Sequence, residues 1–394
     1  MSEWKEKTLG ELSIRVSSGL TPLKSKKEFW ENPSIPWLKT DQLGEKYIFD
    51  TNTKISKEAL EQTSLRIYPE NTISIAMYGE GKTRGNLSII KAPMTTNQAC
   101  CNIEIDPKLA DVEYVYYYLK TQYDSLRKLS SGVRKNLNSN DIKNYKIYIP
   151  ESVSAQKSIV RILMSLDNKI SLNNQINQEL EAMAKTLYDY WFVQFDFPDQ
   201  NGKPYKSSGG KMVYNPELKR EIPEGWGVAR LDQLQITTGK RDANFGTENG
   251  KYDFWTTANS PIKADEFSFE GKAILIAGNG NFYVNFTDGK FEAYQRTYVI
   301  QSEDEKMLIF MYMACLQSAE KLRKASNGSI IKYITIGDVN NISSPYDHNV
   351  VDEFVKIYRP LIDQISKNKK QNQELTQLRD WLLPMLMNGQ VKVE

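Results

Sequence analysis

Two stretches of the chain show the hydrophobic spacing of a long helix. Apolar and amide residues recur at alternating steps of four and three from Ile159 to Leu187, and again from Phe354 to Leu382. This spacing is typical of a coiled-coil seam of about four heptads. The seam is interrupted by asparagine at Asn173 and Asn177 in the first stretch and at Asn368 and Asn372 in the second. Because these asparagine layers occur at the same place in both stretches, we predict that they set the register of the two helices.

The chain contains an internal repeat. The segment ISLNNQINQEL at 170–180 recurs as ISKNKKQNQEL at 365–375, with seven of eleven positions identical at an offset of 195. The same order is kept outside the helices, because LRKLSSG at 126–132 recurs as LRKASNG at 322–328. A period this long excludes a solenoid. The sequence therefore predicts a duplicated domain, each copy being a globular unit followed by a long helix.

Each globular copy has a mixed pattern. Short apolar runs such as NTISIAM and KAILIAG are bounded by Gly, Asn and Pro, which predicts strands joined by turns. One helical pattern per copy, at 113–129 and 306–325, precedes a glycine-containing turn. The expected fold class is α+β, with two similar mixed α/β domains separated by two long helices.

A two-fold relation between the copies determines the direction of the long helices. Under an internal pseudo-two-fold axis the helices must run antiparallel. A parallel pair would relate the two domains by a translation, which does not give a closed arrangement. An antiparallel coiled coil centred near Gln175 and Lys370 places Asn173 opposite Asn372. It also places Asn177 opposite Asn368.

The pattern divides the chain into five regions. These are a first domain at 1–151, a helical region at 152–195, a linker at 196–225, a second domain at 226–346 and a C-terminal helical region at 347–394. The linker is assigned on composition, because 196–225 is rich in Gly, Pro, Ser and charged residues, and we expect it to lie over the surface.

Composition excludes several classes of function. The 394 residues carry 51 Lys and Arg against 49 Asp and Glu, so the net charge of +2 does not indicate a nucleic-acid partner. The single histidine, His348, lies in a turn-like stretch, which favours a solvated residue over a catalytic one. Cys100, Cys101 and Cys315 match no zinc spacing. We therefore expect no catalytic site and no metal site.

The segment from Ala76 to Thr83 formally matches a relaxed phosphate-loop pattern. The residues that follow are strand-like, whereas a phosphate loop needs a helix there. A glycine-rich turn that brings Lys82 and Arg84 near a phosphate backbone, or a plain hairpin, fits better. The chain also has no Pro-Pro pair, so the Asn/Asp-Pro-Pro-aromatic motif of amino-methyltransferases is absent.

Four long motifs carry a resemblance to a known family. They are KTLGELSIRVSSG near the start, LYDYWFVQFDFP at 187–198, GKPYKSSGGKMVYNPELKREIPEGW at 202–226 and NQELTQLRDWLLPMLMNGQVKV near the end. Together they resemble the specificity subunit of type I restriction–modification enzymes, from Trp4 to the C-terminus.

The resemblance implies a DNA reader without catalytic activity. Each domain would be a target recognition domain that binds half of a split sequence in double-stranded DNA, and the helices would set the gap. Two methyltransferase subunits and the motor–endonuclease subunits would be the protein partners. They would supply the S-adenosylmethionine, ATP and Mg²⁺ chemistry, with methylation on adenine. The expected location is the cytoplasm, since no apolar run is long enough for a membrane span and the start has no signal-peptide pattern.

Loop residues with basic or amide side chains are the expected DNA contacts. In the first domain these are Lys24, Lys26, Lys27, Lys82, Arg84, Arg134, Lys135 and Asn136. In the second domain they are Lys240, Arg241, Asn244, Asn279, Asn281, Gln295, Arg296 and Lys332.

Apolar residues at the helix ends have two interpretations. Tyr188, Trp191, Phe192, Trp381 and Leu382 either pack on the adjacent domain or dock a methyltransferase subunit. Two other classes of function stay open: a catalytic methyltransferase or nuclease fragment, and a scaffold that does not bind DNA.

Overall fold

The computed structural model describes residues 3–79, 83–129, 136–325 and 332–391. The chain forms two compact units. Unit 1 comprises Met1–Ser171 and Asn372–Glu394, and unit 2 comprises Leu172–Gln371. These boundaries fall inside the long helices, whereas the sequence pattern placed domain boundaries before them. None of the described helices is long and apolar enough to cross a membrane.

In the described part of unit 1, ten strands and four short helices precede the first long helix. The strands are β1 Trp4–Thr8, β2 Ser13–Ser18, β3 Ile35–Leu38, β4 Tyr47–Ile48, β5 Lys54–Ile55, β6 Thr72–Ala76, β7 Leu87–Ile90, β8 Thr95–Thr96, β9 Cys100–Ile105 and β10 Lys146–Pro150. The helices are α1 Lys57–Glu61, α2 Val112–Thr121, α3 Tyr123–Lys128 and α4 Ser139–Lys143. The long helix α5, Val153–Tyr188, starts in unit 1 and ends in unit 2.

The described residues of unit 2 form twelve strands. These are β11 Met212–Asn215, β12 Arg220–Pro223, β13 Gly227–Arg230, β14 Gln235–Thr238, β15 Tyr252–Trp255, β16 Ile262–Ala264, β17 Phe269–Glu270, β18 Ala273–Ala277, β19 Val284–Thr287, β20 Lys290–Ala293, β21 Thr297–Gln301 and β22 Ser343–Tyr346. Its helices are α6 Glu305–Ala325 and α7 Ile336–Asn340. The second long helix α8, His348–Met387, starts in unit 2 and ends in unit 1.

The two units repeat one strand topology. In unit 1 the order β2-β9-β6-β7 forms most of the main sheet, and in unit 2 β14-β21-β18-β19 takes the same order. A second sheet follows the order β5-β3-β8 in unit 1 and β16-β15-β20 in unit 2, with one antiparallel and one parallel pairing in each. The pairs β1–β10 and β13–β22 complete the correspondence. The predicted duplication and the mixed α/β class are confirmed at this level.

The central strands β6 and β18 are buried on both faces. Ile274 and Ile276 of β18 point into a core shared with α6, whereas Ala273 and Leu275 join a separate cluster with Trp255 and aromatic residues of β17 and β20. Both faces of β18 are therefore covered, and no position is left for a solvated side chain. Strand β6 of unit 1 is buried at all five positions in the same way.

The predicted linker is folded, so the composition was misleading there. Residues 196–225 contain the antiparallel hairpin β11–β12 and contribute to the core of unit 2. Phe197 stacks on Tyr205 with ring centroids 4.8 Å apart and also contacts Trp226 at 4.9 Å. The polar residues of this segment face solvent, while its spaced aromatic residues hold it to the unit.

Candidate functional site

In each unit, four chain segments meet at one end of the main sheet. In unit 1 they are residues 19–21, 77–79, 97–99 and 136–137, and in unit 2 they are 239–241, 278–280, 294–296 and 332–334. We call each of these surfaces the turn edge of its unit. Their equivalence follows from hydrogen bonds that recur position by position.

A tight turn before the central strand forms the middle of each turn edge. The Cys100 N–H donates to the Asn97 carbonyl at 3.1 Å in unit 1, and the Thr297 N–H donates to the Tyr294 carbonyl at 2.7 Å in unit 2. In unit 1 a hydrogen bond attaches the turn to the second sheet, since the Asn97 N–H donates to the Leu38 carbonyl at 2.9 Å. Its counterpart in unit 2 is Tyr294 N to Trp255 O, also 2.9 Å.

A glycine lets the neighbouring loop approach this turn. The Gly19 N–H donates to Cys100 O and the Gly239 N–H donates to Thr297 O. A Cβ atom at Gly19 would lie 2.2 Å from the Thr96 carbonyl oxygen, and one at Gly239 would lie 2.2 Å from the Ala293 carbonyl oxygen. No side chain fits at either position, so both units need glycine there.

Backbone hydrogen bonds also hold the remaining two segments of each turn edge, which are 77–79 and 136–137 in unit 1 and 278–280 and 332–334 in unit 2. Met77 N donates to Ala99 O at 2.8 Å, and its counterpart Gly278 N donates to Arg296 O at 2.7 Å. On the other side, Leu137 N donates to Met77 O at 3.1 Å and Ile334 N donates to Gly278 O at 3.0 Å. The turn edge is therefore one backbone frame that occurs twice and carries different side chains.

Most of the predicted contact residues of unit 2 lie on its turn edge. Lys240, Gln295, Arg296 and Lys332 are exposed, and Asn279 is half-buried. Asn244 is exposed in a short 3-10 turn at Ala243–Phe245, and exposed Asn281 donates to the Tyr283 hydroxyl at 3.2 Å.

Arg241 differs from the other basic residues of this edge. Its guanidinium pairs with buried Glu292 at 3.4 Å and with Glu266 at 2.7 Å, and it lies 4.3 Å from the Phe245 ring centre. Since its charge is already balanced within the unit, Arg241 anchors the loop at 239–241.

The predicted residues of unit 1 are more scattered. Lys24, Lys26 and Lys27 are exposed on the loop after β2, where the Lys26 ammonium lies 4.9 Å from the Phe29 ring centre. Asn136 lies on the turn edge, and Arg84 is half-buried in the loop between β6 and β7. The predicted residues Lys82, Arg134 and Lys135 lie outside the described residues.

Two residues of the turn edges were missed by the sequence interpretation. Gln98 is exposed at the turn position that corresponds to Gln295, and Tyr333 is 45% exposed beside Lys332. The repeat contained the signal for Gln98, because Asn97-Gln98 aligns with Tyr294-Gln295 in the two copies.

Three of the four seam asparagines, Asn173, Asn177 and Asn368, are buried as predicted, and Asn372 is half-buried. Within unit 2, Asn368 Nδ2 donates to Asn177 Oδ1 at 2.8 Å, and Asn173 Nδ2 donates to Gln371 Oε1 at 2.8 Å. Residue numbers rise along α5 from Asn173 to Asn177, while those of their partners on α8 fall from Gln371 to Asn368. The helix segments of this unit therefore run antiparallel. The contact of Asn177 with Asn368 is confirmed, and that of Asn173 with Asn372 stays a prediction.

The burial of the residues at the helix ends corrects part of the docking prediction. Tyr188, Trp191 and Phe192 are 4%, 6% and 1% exposed within the core of unit 2, so they are unavailable to a partner and the packing interpretation holds for them. Leu382 is partly buried against the core of unit 1. Trp381 is 60% exposed, so docking stays a prediction for that residue.

A partly buried charge network joins the helices of unit 1. Asp167 of α5 pairs with Arg379 of α8 at 3.0 Å and with Lys46 at 3.5 Å. Lys46 also pairs with Glu113 of α2 at 3.0 Å. Burial, together with a hydrogen bond to Asp167, raises the pKa of the Tyr117 hydroxyl well above its usual value, so that it stays a donor. The network links α5, α8 and α2.

Metal-ligating side chains do not gather among the described residues. Among them, no cluster of three or more His, Cys, Asp or Glu could hold a metal ion. His348 is exposed at the first position of α8, with its Nδ1 3.3 Å from the Tyr346 hydroxyl.

Comparison with known proteins identifies the class. A family model described as type I restriction modification DNA specificity domain matches residues 1–182 and 223–377. The chain therefore belongs to this family, and the resemblance seen in its motifs is confirmed.

Individual relatives agree with this class. The type I restriction enzyme MjaIX specificity subunit of Methanocaldococcus jannaschii is 30% identical over 429 residues, covering 100% of this chain and 94% of the relative. The EcoDI specificity subunit of Escherichia coli is 34% identical over 186 residues, or 44% of this chain and 40% of the relative.

A solved structure agrees at the level of the fold. The crystal structure of the type I restriction–modification system S subunit from M. genitalium matches with a TM-score of 0.60 at 17% identity, covering 98% of this chain and 96% of that chain.

Proposed function

We propose that this chain is the DNA-reading subunit of a type I restriction–modification complex and that each turn edge binds one half of a bipartite site. The observation that carries the proposal is the repetition of one backbone frame with different side chains. A common frame fixes how each domain sits on the duplex, while different side chains let each domain select its own bases.

The chemistry of the exposed side chains supports DNA as the ligand. Lys240, Arg296 and Lys332 place three cationic groups on the turn edge of unit 2, where they can contact phosphates. The amides of Gln295 and Asn279 provide the paired donors and acceptors that base edges require. In unit 1 the lysines at 24, 26 and 27 supply the positive charge.

The long helices would act as the spacer between the two readers. Helices of 36 and 40 residues are about 54 and 60 Å long at 1.5 Å per residue. Half-sites on one face of B-DNA are about 34 Å, or 10 bp, apart. Rigid helices with a buried polar register fit the task of holding the two domains at a fixed distance.

Catalysis belongs to the partners in this proposal. Two methyltransferase subunits would dock on the helices, with exposed Trp381 as a contact, and motor–endonuclease subunits would join for cleavage. S-adenosylmethionine, ATP and Mg²⁺ would be bound by those subunits, and methylation would fall on adenine.

Sequencing of methylated DNA tests the proposal. Genomic DNA from cells that express this chain with its methyltransferase subunit is read by single-molecule sequencing, and cells with the methyltransferase alone serve as the control. The expected result is methylation at a bipartite motif with an unspecified gap, present only with this chain. A continuous motif, or the same motif in the control, would contradict the proposal.

A further inference from the structure

Gln98 and Gln295 occupy the same position in the two turn edges. Each is the second residue of its tight turn, Asn97–Cys100 in unit 1 and Tyr294–Thr297 in unit 2, and each side chain is exposed. The flanking residues differ, because Ala99 corresponds to Arg296 and Asn97 to Tyr294. Among the three residues 97–99 and their counterparts, only the glutamine is common to both units.

The backbone under each glutamine is fixed before any ligand binds. Residues on either side of it bond to three other segments of the unit, as described above, so the turn cannot move without breaking several hydrogen bonds. In unit 1 the Thr21 hydroxyl also donates to Gln98 Oε1, which orients the amide and leaves both N–H groups of Nε2 as donors. A preorganised amide loses little conformational freedom on binding.

We infer that Gln98 and Gln295 are equivalent base-reading residues, each recognising an adenine in its own half-site. A glutamine amide can donate to adenine N7 or accept from adenine N6 and can do both at once in the major groove, a pattern that no other base offers. This inference rests on the proposed function, because it requires that the turn edges face DNA.

The equivalence of the two glutamines makes the inference specific. Two readers with the same frame and the same amide select the same base at the corresponding position. We therefore expect adenine at corresponding positions of the two half-sites, on opposite strands if the units are related by a two-fold axis. The other positions are expected to differ between half-sites, because the other side chains differ.

Substitution of each glutamine in the assembled methyltransferase complex tests the inference. Binding to duplexes with single base changes, and the methylated motif in cells, are measured for Gln98→Ala and Gln295→Ala. Each variant is expected to lose about 5- to 150-fold discrimination at one adenine of one half-site, leaving the other half-site unchanged. Gln98→Glu is expected to shift preference at that position towards cytosine, since a carboxylate accepts from the cytosine amino group.

Gln235→Ala is the matched control, because exposed Gln235 lies at the other end of β14 from the loop at 239–241. It should leave every position unchanged. The inference is overturned if the glutamine variants keep full discrimination, or if they weaken binding equally for all sequences. A wild-type complex that reads one continuous site overturns the proposed function itself, whatever the glutamine variants do.

Discussion

Asn368 donates a 2.8 Å hydrogen bond to Asn177, and both side chains are at least 94% buried in unit 2. The Asn368 oxygen in turn accepts a hydrogen bond from Gln364 at 2.7 Å. A buried amide pair stabilises only the alignment in which both partners meet, so this contact fixes the helices against sliding by one heptad.

Removing one member of this pair should destabilise the protein. In Asn177→Leu the Asn368 amide loses its acceptor without access to water, and we expect the free energy of unfolding to fall by about 1–3 kcal/mol. The double variant Asn177→Leu, Asn368→Leu should recover much of that loss, because no buried amide is left unpaired and the exposed Gln364 amide, which also loses its acceptor, can bond to water. Chemical denaturation measures both effects. Equal stability of the wild type and the single variant would show that the pair has no register role.

Lengthening both long helices should widen the gap in the recognised motif. Inserting seven residues after Asn177 and seven before Asn368 adds about 10 Å of helix. This corresponds to about 3 bp of duplex at 3.4 Å per step. Methylation sequencing gives the gap directly, and a gap that stays at its original length would contradict the role of the helices as a spacer. Insertion of seven residues in the hairpin β11–β12, which lies outside the helices, is the control.

Alanine at Gly19 should damage one reader only. The new Cβ would lie 2.2 Å from the Thr96 carbonyl, so the loop at 19–21 must move away from the turn. We expect Gly19→Ala to abolish selectivity in one half of the motif and Gly239→Ala to do so in the other. Gly227→Ala is the control, since its nearest neighbour there is the Tyr346 carbonyl oxygen at 4.0 Å. Unchanged selectivity in both glycine variants would mean that the turn edges do not read DNA.

Cationic residues of the turn edge should contribute affinity without sequence preference. We expect Arg296→Ala and Lys332→Ala each to weaken binding evenly across duplexes and to reduce the slope of log K against log salt by about 0.9. Titrations of the assembled complex at several salt concentrations measure the slope. Lys211→Ala on the hairpin β11–β12, where the lysine pairs with Glu224 at 2.6 Å, should leave the slope unchanged. A change in preference at a single base would instead assign the residue to base reading.

The three thiols should be unreactive in the folded protein. Cys100 and Cys101 are fully buried on β9, and burial raises the pKa of each thiol to about 12. Cys315 is also fully buried, and burial raises its pKa further. Since the thiolate is the reactive form, we expect almost no labelling by a thiol reagent between pH 7 and about 9 until a denaturant unfolds the chain. Rapid labelling of the native protein would contradict the burial of these residues.

The features that could be predicted from sequence are those with a local signal. The seam from Ile159 to Leu187 and the duplicated segment at 365–375 are periodic, and periodicity determines which residues share a helix face. The contact of Asn177 with Asn368 followed from symmetry alone. The lysines at 24, 26 and 27 could be named from sequence as candidate DNA contacts because they cluster, and all three are exposed.

The features that sequence reasoning missed depend on distant partners. The role of Arg241 as an anchor requires Glu292, which is 51 positions away. The folded state of 196–225 depends on the stacking of Phe197, Tyr205 and Trp226, which composition cannot show. Packing and docking both stayed open for Tyr188 and Phe192, because an apolar helix end looks the same in sequence whether its own unit or a partner covers it.

The division of the chain has a genetic consequence. Unit 2 is one uninterrupted stretch, Leu172–Gln371, whereas unit 1 is assembled from both ends of the chain, with Leu386 and Met387 completing its core. Recombination that replaces the codons between 172 and 371 would therefore exchange the whole of unit 2 together with its share of both helices. Under the proposed function, a host cell would acquire a new half-specificity by such a cassette exchange while keeping the other half.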